Sequence, residues 1–545
     1  MKLSSGKRIL ILGFIMAGGL LYGQGNIPGM NDTLHMVGSL GSQELPESRK
    51  PEMNPQQVKI KAETGDIRFE VNDTPAPTGF TPEKPDVREP EKEEWPYIYN
   101  NYAKAAFGRF ATPVARLYLH NGRSKNLDLG IDLNHISASN GHVDFGEFRE
   151  DFGTAAARVH LDNQSLGLKA SVFNTNYFYY ADSIIQSNPE KKDSIRQAFT
   201  KLNFEADILQ NQSEDLRYGI KLGFRDYFDR SGNSEVHASA DLGLDWKISS
   251  GFSAGLDGNL TFSNAGFDSI SQSRTFLDFS PYAGYQKGKL RAKAGLKVNS
   301  FSDSVNVFNA APILNASFEL IENRLALEAS MQGEMRYNTW YDFVTRNKWL
   351  DQKGNVKPTT EKIHFRGGFT GGLPKYLSFS LHGYWRQMNN MPVFFCPENG
   401  SQFAVLYDSV TRESGIEGTL QVNVDDKYRA GFSGTFRQFQ LRNTAFNFGV
   451  ANTRFDFWAS CRFADKVWIT TEVYLFGKRS MTIDSAGTPI SANAQADINL
   501  TADYSFSKRI SIFLELNNIL GNRYYRWYNY RERPFDVKAG VSLSF

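Results

Sequence analysis

The sequence predicts an all-β chain whose larger part is a transmembrane antiparallel β-barrel of about 22 strands, with 20 and 24 as the neighbouring alternatives. Three observations lead there. Apolar and polar residues alternate in segment after segment between 97 and 545. The connections between those segments are short on one side and longer on the other. The chain opens with an export signal, and no later run of 18 apolar residues follows it, so helical membrane spans are not expected.

The export signal comes first. Lys2, Lys7 and Arg8 precede an apolar run at 9–22, and small Gly23 closes it. A basic start, a short apolar centre and a small residue read as a signal peptide over 1–23, with Leu21 departing from the small-x-small cleavage pattern. No cysteine follows the run, so no lipid anchor is expected there. Residues 24–96 are rich in Pro and charge, as in "TPEKPDVREPEKEEWP". Such a composition offers too little apolar surface to offset ordering entropy, so an extended periplasmic or lumenal segment is expected. Within it "VKIKAETGDIRFEV" (58–71) reads as a small hairpin, two alternating runs about a T-G-D turn. The segment reads either as a linker or as a lumen insert or docking element for a periplasmic partner or a surface lipoprotein.

From Tyr97 the texture changes. "LDLGIDL" sets Leu127, Leu129, Ile131 and Leu133 against Asp128, Gly130 and Asp132, and "LRYGIKLGF" sets Leu216 to Phe224 against Arg217 and Lys221. A period of two with one apolar and one charged face suits lipid outside and water within. Short turns are read at 121–126, 162–164, 211–214, 248–251, 287–289, 321–323, 373–375, 425–427 and 507–509. Longer connections are read at 139–150, 181–194, 264–271, 338–359, 390–401, 480–490 and 524–532. Short periplasmic turns and longer extracellular loops are the pattern of an outer-membrane barrel of a Gram-negative bacterium. Trp246, Tyr376, Trp458, Trp468 and Tyr504 are candidates for the aromatic girdles. The last strand, "FDVKAGVSLSF", places Val537, Ala539, Val541, Leu543 and Phe545 on the lipid side.

Composition narrows the function. A net charge of +2 gives no field for nucleic acid. Two cysteines and eight scattered histidines have no zinc spacing, and neither a GxSxG elbow nor an HExxH pair occurs. No catalytic residue, metal or cofactor is expected, and an enzyme is disfavoured. The loop at 338–359 is the most ligand-like stretch: Trp340, Tyr341 and Trp349 interleave with Asp342, Arg346 and Lys348. Aromatics beside polar groups suit sugars, peptides or planar cofactors. The same residues also suit a loop that packs on itself over the barrel mouth. "YWRQMNNMPVFF" (384–395) carries the same two readings.

The closing residues resemble TonB-dependent receptors. A penultimate strand carries Asn517, Asn518, Ile519 and Leu520, an aromatic loop holds Tyr524, Tyr525 and Trp527, and Pro534 precedes a last strand ending in Phe545. Gly415, Ile416 and Glu417 match a second motif of that family, on a long strand before a tight turn. The resemblance implies an outer-membrane receptor or transporter that passes or binds a solute at the cell surface. It also implies that Phe545 is a terminal signal read by the barrel assembly machinery. Family members carry a globular plug and a TonB-contacting box ahead of the barrel; residues 24–96 are too few for a complete plug. The alternative expectation is therefore a non-transporting, accessory barrel that anchors a partner protein in the outer membrane.

Overall fold

In the computed structural model the described residues are 99–545, less 123–125, 182–188, 211–214, 268–269, 304–305, 352, 355, 374, 425–426 and 465. The expected signal peptide (1–23), the Pro-rich segment (24–96) and its hairpin (58–71) lie outside them.

Twenty-two strands form one antiparallel sheet in which each pairs with its sequence neighbours. The first strand, Tyr102–Gly108, also pairs with the last, Asp536–Ser544, so the sheet closes on itself. At the closure the Asn101 N–H donates to the Phe545 carbonyl, and the Phe545 N–H donates to the Asn101 carbonyl, both at 3.0 Å. Closure leaves no edge strand, which is the condition for spanning lipid with strands. The count is even, as expected.

The faces are inverted relative to a soluble protein. Leu168, Leu222, Phe262, Phe436 and Val541 are exposed on the outer face, while Lys104 and Arg116 are buried on the inner one. Inside, opposite charges pair across strands: Lys104 with Glu515 at 2.7 Å, Arg116 with Asp132 at 2.9 Å, Arg158 with Asp207 at 2.9 Å and Arg366 with Glu417 at 2.8 Å. The lumen wall is therefore lined by mutually neutralising pairs rather than by a field of one sign.

Three expectations need correction. Trp458 lies between exposed Phe457 and intermediate Ala459 in Thr453–Phe463, and Trp468 between Val467 and Ile469. Their parity is the lumenal one, so neither joins a girdle; Trp246, Tyr376 and Tyr504 are exposed on the lipid side. The long connection expected at 264–271 is strand: Phe252–Phe267 and Ile270–Lys287 pair up to Phe267 opposite Ile270. Here the strands continue beyond the apolar band, and polar Asn264, Ser271 and Ser273 hydrogen-bond on the wall rather than in a loop. The loop expected at 390–401 runs from 390 to 410 and contains its own hairpin, Met391–Phe395 with Ala404–Asp408. A further long connection, 441–452, was not among those expected. The long connections that follow Phe178, Arg336, Asn389, Gln440, Phe476 and Asn517 share the end opposite the chain terminus.

Candidate functional site

The predicted ligand-like loop holds a short helix, Trp340–Arg346. Thr339 caps it by accepting from the Asp342 N–H at 3.0 Å, with acidic Asp342 in the first turn and basic Arg346 in the last. Helical spacing puts Trp340, Phe343 and Val344 on one buried face. Tyr341, Asp342, Thr345 and Arg346 fall on the other face and keep contact with solvent.

The four singled-out residues therefore part company. Trp340 is 2% exposed and Trp349 8%, both in the core of the loop assembly. Tyr341 is anchored by its backbone: its carbonyl accepts from Lys201 Nζ at 2.9 Å, and its N–H donates to Glu235 Oε2 at 2.8 Å. Its ring lies 4.3 Å from Lys201 Nζ and 5.8 Å from the Arg225 guanidinium. Arg346 sits 5.4 Å from the Phe394 ring. Tyr341 and Arg346 remain partly open, and the two tryptophans do not.

What surrounds those tryptophans reaches over from other parts of the wall. Trp349 packs edge-on against Tyr177, from the fifth strand (Gln164–Phe178), at 5.1 Å. It stacks on Tyr530, from the last long loop, at 3.9 Å and 14°. Trp340 meets Phe267 at the end of the ninth strand at 5.4 Å. Phe343 meets Phe394 at 5.7 Å, and Phe394 meets Trp527 at 5.8 Å. The fifth strand and the loop that follows the thirteenth are eight staves apart, about 38 Å around the wall at 4.8 Å per strand. Residues so placed touch only by meeting across the mouth. The loops thus form a cap with its own apolar core.

The cap is laced as well as packed. The hydroxyls of Tyr179 and Tyr180 donate to the Leu350 and Arg531 carbonyls at 2.6 and 3.1 Å, and Tyr528 donates to the Glu398 carbonyl at 3.0 Å. Tyr177 reaches the Lys348 carbonyl and Tyr530 the Ser401 carbonyl in the same way. Each tyrosine satisfies a carbonyl of another segment, and all but Tyr528 are buried, which ties these positions to one another. The hairpin 391–408 sits between two cores: Phe394, Phe403 and Val405 face the larger one, and Met391 and Val393 a second with Met388 and Phe448. Asp408, fully buried, accepts from the backbone N–H groups of Arg442, Asn443 and Thr444. Burial alone would raise its carboxyl pKa, but these donors hold it below the usual range. Cys396 is buried here too, and burial pushes its thiol up to about 12.

The sequence reading missed the partners Tyr177, Tyr179, Tyr180 and Tyr530. Their signal was present as "YFYY" (177–180), running from the end of a strand into its connection, and "YRWYNY" (525–530), an aromatic cluster where turn residues are usual. Among the described residues no three His, Cys, Asp or Glu side chains gather as for a metal ion.

No protein-family model matches the chain, and no curated protein matches its sequence. Solved structures do match in fold. The FrpB iron transporter of Neisseria meningitidis superposes with a TM-score of 0.66 at 11% identity, over 82% of each chain. The ferric enterobactin receptor PfeA of Pseudomonas aeruginosa, in a point mutant, gives 0.61 at 13% identity, over 82% of this chain and 80% of its own. The ferric-catecholate import receptor Fiu of E. coli K12 gives 0.62 at 11%, over 83% and 82%. What they share with this chain is the barrel fold of TonB-dependent receptors, the one its closing residues resemble.

Proposed function

We propose that this protein is a receptor- or transporter-type barrel of a Gram-negative outer membrane, which binds or passes a solute at the cell surface through a mouth gated by the loop cap. The supporting observation is the arrangement of the mouth. A polar, charge-paired lumen lies beneath a cap built from the long loops and the strand ends they pack on, such as Tyr177 and Phe267, and its side-chain packing can loosen without breaking the barrel's backbone ladder. Three neighbours in fold are described as an iron transporter, a ferric enterobactin receptor and a ferric-catecholate import receptor. In this reading the solute first meets Tyr341 and Arg346, the partly open face of the loop helix, and Trp340 and Trp349 become available as the loops separate.

A second reading keeps one observation in its favour. The lacing of the cap by tyrosine–carbonyl bonds is complete enough for a permanently silent barrel that serves as a membrane anchor for a partner. Planar-bilayer recording separates the two. A transporter-type barrel is silent as isolated and gives large conductance steps once Trp349→Ala and Tyr530→Ala loosen the cap, and its deletion strain loses uptake of one nutrient. A barrel that stays silent in the double variant, co-purifies with a stoichiometric partner and leaves every uptake unchanged on deletion overturns the transport reading.

A further inference from the structure

The wall holds Tyr341 by its peptide groups, and it offers more donors there than the loop helix uses. Lys201 belongs to the sixth strand (Arg196–Gln210), Glu235 and His237 to the eighth (Ser234–Lys247), and Arg274 to the tenth (Ile270–Lys287). Alternate strands run the same way, and all four residues stand near the long-loop end of theirs. Their parity is opposite to that of exposed Phe204, Val236 and Leu277, so they face the lumen beneath the cap. All four are buried, Arg274 to 2% exposure.

Lys201 donates to the Tyr341 carbonyl at 2.9 Å and to the Thr345 hydroxyl, and Glu235 Oε2 accepts from the Tyr341 N–H at 2.8 Å. One residue of the cap thus has its carbonyl on a buried cation and its amide on a buried anion. Such charge-assisted bonds are the stronger kind, and they read a backbone whatever side chain it carries. Arg274 is the surplus. Its Nη1 lies 3.7 Å from Glu235 Oε1, too far for a hydrogen bond, and neither Nε, Nη1 nor Nη2 has a hydrogen-bond partner. Glu235 Oε1 and His237 Nε2 are unbonded as well. A buried guanidinium is costly to leave in that state. The helix supplies nothing for it: its one acid, Asp342, is engaged by Thr339 at 2.7 Å and faces Arg225 at 4.0 Å. Two cations, Lys201 and Arg274, against one anion, Glu235, leave this part of the wall short of one negative charge.

We propose that Tyr341 is an internal stand-in at a site for an acidic peptide, whose backbone amide goes to Glu235, its carbonyl to Lys201 and a carboxylate to Arg274. The proposal rests on the reading of the mouth as a gate and names the class of solute that the gate admits. Binding and closure exclude each other, because the peptide takes the groups that hold the loop helix to the wall. The peptide displaces the helix because it satisfies Arg274, which Tyr341 does not.

The test uses the full chain in detergent, its folding verified by heat-dependent migration, with the cap loosened by Trp349→Ala and Tyr530→Ala. Calorimetry compares the tripeptide Ala-Asp-Ala with its uncharged counterpart Ala-Asn-Ala. The acidic peptide is expected to bind about ten-fold tighter, the worth of one charge-assisted hydrogen bond. It should also bind the loosened protein more tightly than the wild type, where Tyr341 competes. Adding Arg274→Gln removes the preference, and adding Lys201→Met weakens both peptides. Equal affinity for the two peptides, no binding of either, or a preference that survives Arg274→Gln overturns the site. If Arg274→Gln does not fold, the comparison of the two peptides on the loosened protein decides alone. Conductance of the same protein tests the gate separately. Large steps without a preference for the acidic peptide overturn the site and leave the gate standing, whereas a preference without conductance does the reverse.

Discussion

At the scale of single residues, close approach decides most of what can be tested. Gly431 faces the lumen beneath Trp458, and a Cβ added there would meet the indole Nε1 at 2.2 Å. Because the indole lies over this backbone and must shift to admit a larger side chain, Gly431→Val is expected to cost about 1–3 kcal/mol, read as a lower temperature for loss of heat-resistant migration. Unchanged migration temperature would mean that Trp458 has room to turn away. Cys396 offers a probe of the cap. Its Sγ donates to the Gly400 carbonyl at 3.3 Å, and a thiol pushed up to about 12 stays protonated from pH 7 to 9. Since the thiolate is the reactive form, an impermeant maleimide should leave Cys396 unlabelled across that interval. Rapid labelling of the folded barrel at pH 7 would show that the cap does not close over it.

At the scale of elements, the loops behave as one unit because their contacts are with each other. The stacked pair Trp349–Tyr530 joins the loop 337–358 to the loop 518–535. A double-mutant cycle on this pair should return a coupling of about 0.5–1.5 kcal/mol, measured from the denaturant dependence of cap-tryptophan fluorescence. A coupling near zero would mean that the loops are held by the tyrosine–carbonyl bonds alone. Removal of the hairpin 391–408 should have the larger effect, since it withdraws residues from both apolar cores at once. That deletion is expected to leave a folded barrel and to raise bilayer conductance from silence to large steps. A silent deletion variant would place the seal elsewhere. The strands, in contrast, were legible because a period of two is local: "LDLGIDL" names its own two faces. Trp458 and Trp468 were misjudged because residue type suggested a girdle, while parity, set by the neighbours Phe457 and Val467, put them inside.

At the scale of the whole molecule, closure depends on the two ends of the barrel finding each other. Phe545 pairs with Asn101 through two backbone hydrogen bonds, and its ring, 42% exposed, faces the lipid side. Phe545→Ala is expected to reduce the amount of folded barrel in the outer membrane several-fold while leaving the stability of the barrel that does assemble nearly unchanged, as judged by heat-dependent migration of each fraction. Equal yields of variant and wild type would remove the terminal residue from assembly. The sequence by itself determined the all-β barrel architecture, an even count near 22 with 20 and 24 still open, and the direction of its faces, because alternation and turn chemistry are written within a few residues of each strand. Closure between the first and last strands fixed the count at 22. It also singled out the loop around Trp340 and Trp349. Only the tertiary structure decided that these tryptophans are buried in a cap, while Tyr341 and Arg346 stay partly open. That outcome depends on Tyr177, Phe267, Phe394 and Tyr530, which lie far apart along the chain and around the wall. Periodicity reports which way a side chain points from its own strand, and it carries no information about which other loops will meet it across the mouth.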